Sequence, residues 1–169
     1  MARCLAAFIR AGTLDLSLDQ LASEVGISKR MLIHYFGGRA AIETQAMARL
    51  EDQLRAQFAP ARWPAGRSLR HVLTHLWART TDPAARGVVL LTMDIARRAW
   101  NGSAEARAFY VEQQRLWVDL LMHYLPDRPA VEAALQAFQG AVLAYLVTGD
   151  TTCTSLTSMR TNRDPHGEP

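Results

Sequence analysis

The stretch SKRMLIHYFGGR, which runs from Ser28 to Arg39, has the residue pattern of a short helix bounded by turns. Ser28 is a good N-cap, because its hydroxyl can accept a hydrogen bond from a backbone N–H of the first turn. Leu32, Tyr35 and Phe36 follow at spacings of three and four residues, which predicts a single inward face. The stretch is therefore predicted to be a helix that packs on one side against its neighbours.

A second helix is predicted immediately before this one. Ser17 followed three residues later by Gln20 is a capping box, which marks a helix start. Ala22 is small where two helices would cross closely, and Gly26 supplies the positive φ that the turn between them needs. Leu32 then faces back into the core, and the whole pattern predicts a helix-turn-helix over about residues 17–36.

The charges of the stretch indicate a nucleic-acid surface. Lys29 and Arg30 stand at a helix N-terminus, where cations oppose the helix dipole, so helix stability does not explain them. Phosphates and guanine edges explain them better. Such helices dock in the major groove by their N-terminal end, so Lys29, Arg30 and Met31 are predicted to meet base edges. His34 lies one turn further along and is the weaker candidate.

This region resembles the DNA-binding head of the TetR (tetracycline-repressor-like) family over roughly residues 5–58. The family pattern is A-x-x-x-G-[VI]-S-x-x-x-L-Y-x-[HY]-F-x-x-[KR]. The matching residues here are Ala22, Gly26, Ile27, Ser28, Leu32, Tyr35, Phe36 and Arg39. Two features depart from it: Ile33 replaces a tyrosine, and the basic N-terminal arm of many members is missing. The resemblance implies an all-α protein with a DNA-binding head and a helical bundle for ligand binding and dimerisation.

The resemblance also implies which residues hold the DNA backbone. Ser17, Ser28, Tyr35 and Arg39 are expected to contact phosphates or to orient groups that do.

Composition is compatible with this function without proving it. The chain has 169 residues, of which 49% are hydrophobic and 21% charged, so a globular fold is expected. The net charge of +3 is too weak to establish nucleic-acid binding alone. Cys4 and Cys153 give no disulfide framework. No signal peptide and no apolar run of roughly 18 residues is evident, so a cytoplasmic protein without a membrane partner is expected.

The periodicity divides the chain into four parts. Residues 1–38 form the predicted three-helix head, 39–59 a connecting helix, 60–149 the regulatory and dimerisation domain, and 150–169 a disordered tail. The helices predicted within these parts span 2–11, 39–59, 67–80, 83–100, 104–125 and 130–148, besides the two of the helix-turn-helix.

Aromatic residues and a methionine in the regulatory part are predicted to line a pocket for a small apolar or amphipathic ligand. The residues are Trp77, Met93, Trp100, Phe109 and Trp117. Placement in an ordinary core is the competing interpretation for each of them. His71 and His75 have a spacing that could hold a metal, but no third ligand is placed by the sequence, so no metal or cofactor is predicted.

The helix 130–148 is predicted to form the dimer contact. Its large apolar residues line one side, whereas small residues line nearly the opposite side. These small residues are Ala133, Ala137, Gly140 and Ala144. A helix that is apolar on two opposed sides needs two partners, and the second is expected to be another copy of the chain.

These observations predict a ligand-responsive transcriptional regulator, most simply a repressor that binds a near-palindromic double-stranded DNA operator as a homodimer. One alternative is a helical ligand-binding or interaction protein that has lost specific DNA binding, which Ile33 and the missing arm favour. Another is a helical enzyme, for which the sequence offers no catalytic constellation, so the protein is not expected to be an enzyme.

Overall fold

The computed structural model describes residues 1–62 and 66–152, and within them it contains eight α-helices and no strand. The helices are α1 (Ala2–Ala11), α2 (Leu18–Val25), α3 (Lys29–Phe36), α4 (Arg39–Gln57), α5 (Leu69–Thr80), α6 (Arg86–Trp100), α7 (Ala104–Leu121) and α8 (Arg128–Thr148). The predicted all-α class is confirmed. The predicted tail lies outside the described residues beyond Thr152.

Local sequence sets the ends of the first helices. The hydroxyl of Ser17 accepts a hydrogen bond from the backbone N–H of Gln20, whose side chain accepts one from the backbone N–H of Ser17, so the predicted capping box is present. Gly26 ends α2 in the left-handed conformation at φ 79°, and Gly37 ends α3 at φ 85°. Residues with a Cβ rarely adopt this conformation, so both glycines fix the turns on either side of α3.

Several predicted boundaries of the later helices are shifted. Pro83–Ala85 forms a 3₁₀ helix before α6, with Asp82 as its cap. Helix α7 ends at Leu121, four residues earlier than predicted. Helix α8 begins two residues early, because Asp127 caps it and Pro129 lies inside its first turn, where the missing N–H costs nothing.

The helices pack around two hydrophobic cores, and α6 contributes to both. The first core joins α1–α4 and includes Leu91 and Ile95 of α6. The second core is built by Phe58, α5, α7 and α8, and it includes Val89 of α6. The three-helix head is therefore packed directly onto the body of the protein, through the contact of α1 with α6.

Helices α1 and α6 approach each other unusually closely. A Cβ atom added to Gly87 would lie 2.0 Å from the carbonyl oxygen of Ile9, a distance no real contact allows. Because the obstacle is backbone, it cannot move aside as a flexible side chain could. The absence of a side chain at Gly87 thus permits the contact between the head and α6.

Helix α8 is long and apolar enough to meet a length-and-composition criterion for a membrane span, with a mean hydropathy of 1.4 in its most apolar window. A helix in the core of a soluble protein passes the same criterion. Here α8 supplies Val131, Leu135 and Phe138 to the second core, so a single helix of this kind does not indicate a membrane protein.

Candidate nucleic-acid interface and ligand cavity

The outer face of α3 presents a mixed basic and apolar surface. Its exposed residues are Lys29, Arg30, Met31, Ile33, His34 and Tyr35. Leu32 is fully buried beneath this face and anchors α3 to the first core. The structure therefore brings together on one helix the residues that sequence analysis assigned to base contacts.

The prediction that Tyr35 packs inward with Leu32 and Phe36 is wrong. Tyr35 is 62% exposed, and its ring lies against that of His34 at a centroid distance of 5.7 Å. Leu32 and Phe36 make the narrow contact with the neighbouring helices. Tyr35 lies outside this contact. The exposed hydroxyl group is compatible with the separate expectation that Tyr35 contacts DNA.

The cations of this region differ in their pairing. Lys29 is 2.9 Å from Asp19 of α2, whereas Arg30 pairs with no described residue. The hydroxyls of Ser17 and Ser28 accept capping hydrogen bonds from Gln20 and Met31, which leaves their hydroxyl hydrogens to donate.

Arg39 begins α4 and is held on three sides. Its Nε lies 2.7 Å from Glu43, and its Nη2 donates to the carbonyl oxygen of Leu14 at 3.1 Å. Asp15 is 3.8 Å away. Its side chain is nevertheless 41% exposed, so a phosphate can reach it from outside.

Six charged residues from three parts of the chain meet where the head contacts α6, and we call them the ion cluster. They are Asp15, Arg39, Glu43, Asp94, Arg97 and Arg98. Arg98 lies at the centre, with Asp15 at 2.7 Å, Glu43 at 3.0 Å and Asp94 at 3.1 Å. The spacing of Asp94 from Arg97 and Arg98 is that of ion pairs within one helix, but Asp15 and Glu43 are distant in the chain and no local pattern indicates them.

Asp94 is the buried member of the cluster, with 6% of its side chain exposed. Its Oδ2 accepts a hydrogen bond from the backbone N–H of Leu14 at 3.0 Å. Burial alone would raise the pKa of Asp94, but the Leu14 amide, Arg97 and Arg98 outweigh it and hold the pKa below the usual value. Asp94 therefore remains ionised and fastens the α1–α2 connection to α6.

A cavity of about 730 Å³ lies on the other side of α6, among α4, α6, α7 and α8. Met93, Phe109 and Trp117, three of the five predicted ligand residues, line it. Its volume falls within the range of about 300–1,000 Å³ that is typical of small-molecule sites.

Trp77 and Trp100, the other two predicted ligand residues, are not among the residues that line this cavity. Trp77 packs edge-on against Phe138 and Tyr145 of α8, and its Nε1 donates to the carbonyl oxygen of Thr151. Trp100 is 89% exposed at the end of α6, where the helix has passed beyond the core. Periodicity alone could not distinguish these positions from the cavity wall.

Sequence analysis missed Glu51, a buried polar residue of the cavity wall that is 8% exposed. Its Oε2 accepts a hydrogen bond from Trp117 Nε1 at 3.0 Å and lies 3.7 Å from Arg55. Burial raises the pKa of Glu51, against the opposing effects of Trp117 and Arg55. The sequence does contain a signal that Glu51 is buried: it stands four residues after Met47 and seven before Phe58, on the apolar stripe of α4.

The small residues of α8 lie largely on the outside of the molecule. Ala133, Gly140 and Ala144 are exposed, and Ala137 is partly buried. Leu143 and Val147 are 57% and 78% exposed on the same helix. Helix α8 thus has an apolar surface that the described residues do not cover.

Within the described ranges, no group of three His, Cys, Asp or Glu side chains is arranged to hold a metal ion.

No protein-family model matches this sequence, and no curated protein matches it. A solved structure does: a crystal structure from Rhodococcus sp. described as a "putative TetR-family transcriptional regulator". The match has a TM-score of 0.71 at 17% sequence identity, and it covers 92% of this chain and 91% of the other. The chain therefore has a TetR-like fold along nearly its whole length.

Proposed function

We propose that this protein is a cytoplasmic, ligand-responsive transcriptional regulator that represses by binding a near-palindromic operator as a homodimer. The observation that carries the proposal is the exposed face of α3, where Arg30 stands at the helix N-terminus with no ion-pair partner among the described residues. Lys29, Arg30 and Met31 are assigned to base edges, with His34 further along the groove. Ser17, Ser28, Tyr35 and Arg39 are assigned to the phosphates.

A ligand in the cavity would be connected to the head by two helices. Helix α4 carries Arg39 at one end and Glu51 in the cavity wall, about 18 Å apart at 1.5 Å per residue. Helix α6 carries Met93 in the cavity wall and Asp94 in the ion cluster. A ligand that moves either helix would therefore change the position of α3 relative to DNA.

The uncovered face of α8 supports the homodimer. A single head reaches one half-site, and proteins with this motif usually place two heads one helical turn or more apart. Gly140 has no atom within 4 Å of the position its Cβ would take, so this part of α8 can accept the close approach of a second copy. A twofold axis would lay α7 and α8 against their counterparts as a four-helix bundle.

Selection of bound sequences from random duplex DNA tests the function directly. We expect enrichment of a near-palindrome by the parent protein. Arg39→Ala should weaken binding to all sequences alike and reduce the slope of log affinity against log salt by about one unit, because it removes one phosphate contact. Absence of any enriched sequence would favour the alternative of a helical ligand-binding protein without specific DNA binding.

The ligand response has its own test. An apolar inducer should bind in the cavity and release the operator, and operator DNA must weaken ligand binding by the same factor. A compound that binds tightly and leaves operator affinity unchanged is not an inducer.

A further inference from the structure

The polar corner of the cavity, formed by Glu51, Trp117 and Gln113, has an unused acceptor. Trp117 Nε1 donates to Oε2 of Glu51, and none of the hydrogen bonds among the described residues reaches Oε1. The cavity wall elsewhere is mostly apolar, with Leu54, Phe109 and Val142 among its residues. A carboxylate oxygen in an apolar wall is a strong site for a hydrogen-bond donor, because a charge-assisted hydrogen bond is stronger where the surroundings are mostly apolar.

One arginine beside this corner is shared between two acidic residues. Arg55 lies behind the wall and contacts two carboxylates, Glu51 at 3.7 Å and Asp52 at 2.6 Å. It also donates to the side-chain oxygen of Gln113. Asp52 is 74% exposed and does not line the cavity, so Arg55 is shared with a solvent-facing carboxylate, and Glu51 is the acidic group of the lining at this corner.

The other charged residues of the wall do not alter this balance. Arg79 and Asp82 lie on its exposed rim and carry opposite charges. Within the described lining, the buried end of the cavity therefore favours a cation and opposes an anion.

We propose that the cavity takes a lipophilic amine, whose protonated nitrogen donates to Glu51 Oε1 while its apolar part lies between α6, α7 and α8. This inference rests on the proposed ligand-binding function and specifies its chemical class. The ammonium group would pair with the Glu51 carboxylate, and the rings of Phe109 and Trp117 line the same space. An alcohol of the same shape supplies a donor without the charge, and a carboxylate adds a second negative charge beside Glu51.

Three probes with one carbon skeleton test the proposal by calorimetry on the full chain: 4-phenylbutylamine, 4-phenylbutanol and 4-phenylbutyrate. A charge-assisted hydrogen bond should make the amine bind about ten- to a hundredfold more tightly than the alcohol. The carboxylate should bind most weakly. Glu51→Gln keeps an acceptor for Trp117 but removes the charge, so it should abolish most of the preference for the amine and leave the alcohol within about twofold.

Asp52→Asn is the matched control, because it removes the same charge from the neighbouring residue of α4, whose side chain is 74% exposed. It should retain the preference for the amine.

The ranking of the three probes by the parent protein decides the proposal even if a variant fails to fold. Equal affinity for the three probes would overturn the amine class while leaving a ligand cavity in place. Binding of none of them would overturn the cavity as a site for such molecules, and the DNA selection would remain an independent test of the regulator.

Discussion

Replacing Asp94 with alanine should detach the head from α6. Asp94 is 6% exposed in its side chain and accepts hydrogen bonds from the backbone N–H of Leu14 at 3.0 Å and from Arg98 Nε at 3.1 Å. In Asp94→Ala the Leu14 amide, on a residue that is 1% exposed, loses its acceptor, which costs about 1–3 kcal/mol. Arg98 also loses its buried counterion. Together these losses predict a decrease of about 3–5 kcal/mol in the free energy of unfolding, as for other broken buried pairs.

Urea denaturation at pH 7, at one fixed protein concentration, measures the loss. Asp119→Ala is the control, because Asp119 also contacts two arginines, Arg115 at 2.7 Å and Arg128 at 2.8 Å, but is 39% exposed. Exposed pairs contribute little, so the control should lose far less stability. Equal losses in the two variants would refute the idea that Asp94 fastens the head.

The stability difference between the parent and Asp94→Ala should depend on pH. The pKa of Asp94 is lower in the folded protein than its ordinary value of 3.8. The native protein therefore holds the proton less tightly than the unfolded chain. The stability that ionised Asp94 contributes is present in full above that ordinary value and is lost as the pH falls through the folded-state pKa. The difference between the parent and Asp94→Ala should shrink over that acidic range.

Four further variants test other parts of the structure. Arg30→Ala should cost about 1–3 kcal/mol of operator affinity and relax specificity at one position, as measured by titration of operator variants. Unchanged binding to every duplex would show that α3 does not contact the bases. Gly140→Leu should weaken the dimer without disturbing the protomer, since its Cβ position is open; sedimentation measures this, and a variant dimer as tight as the parent's would place the interface elsewhere. Glu51→Gln should raise the free energy of unfolding at neutral pH, because the folded protein raises the pKa of this carboxyl above its ordinary 4.5. This gain in stability should vanish as the pH falls towards that value. A gain in stability that does not depend on pH would contradict a raised pKa of Glu51. Gly87→Ala should destabilise the protein despite the higher helix propensity of alanine, because its methyl group would meet the carbonyl of Ile9. Thermal unfolding, with Gly140→Ala as control, measures the loss. A Gly87→Ala variant as stable as that control would contradict the close contact between α1 and α6.

Local signals in the sequence predicted the fold well, because helix ends depend on a few adjacent residues. Ser17 with Gln20, and Gly26 with its positive φ, were sufficient to place the helix-turn-helix. The predicted start of α8 at residue 130 is two residues late, because the helix begins at the cap of Asp127 and accepts Pro129 in its first turn.

The candidate site was less predictable, because it depends on which helices meet. Met93 and Trp117 reach the cavity, but Trp100 has the same apolar character and extends into solvent. The contacts of Arg98 with Asp15 and Glu43 span 83 and 55 residues of chain, and no local pattern indicates such partners.

The sharing of α6 between the two cores has a consequence for protein engineering. A chimera that joins this head to the body of another protein of the same fold at residue 38 would remove Leu91 and Ile95 from the core beneath α1. It would also set a foreign side chain against Ile9 wherever the new helix lacks a glycine at the position of Gly87. Grafts that keep the head folded must therefore carry the inner face of α6 along with it, so the transferable unit is discontinuous in sequence.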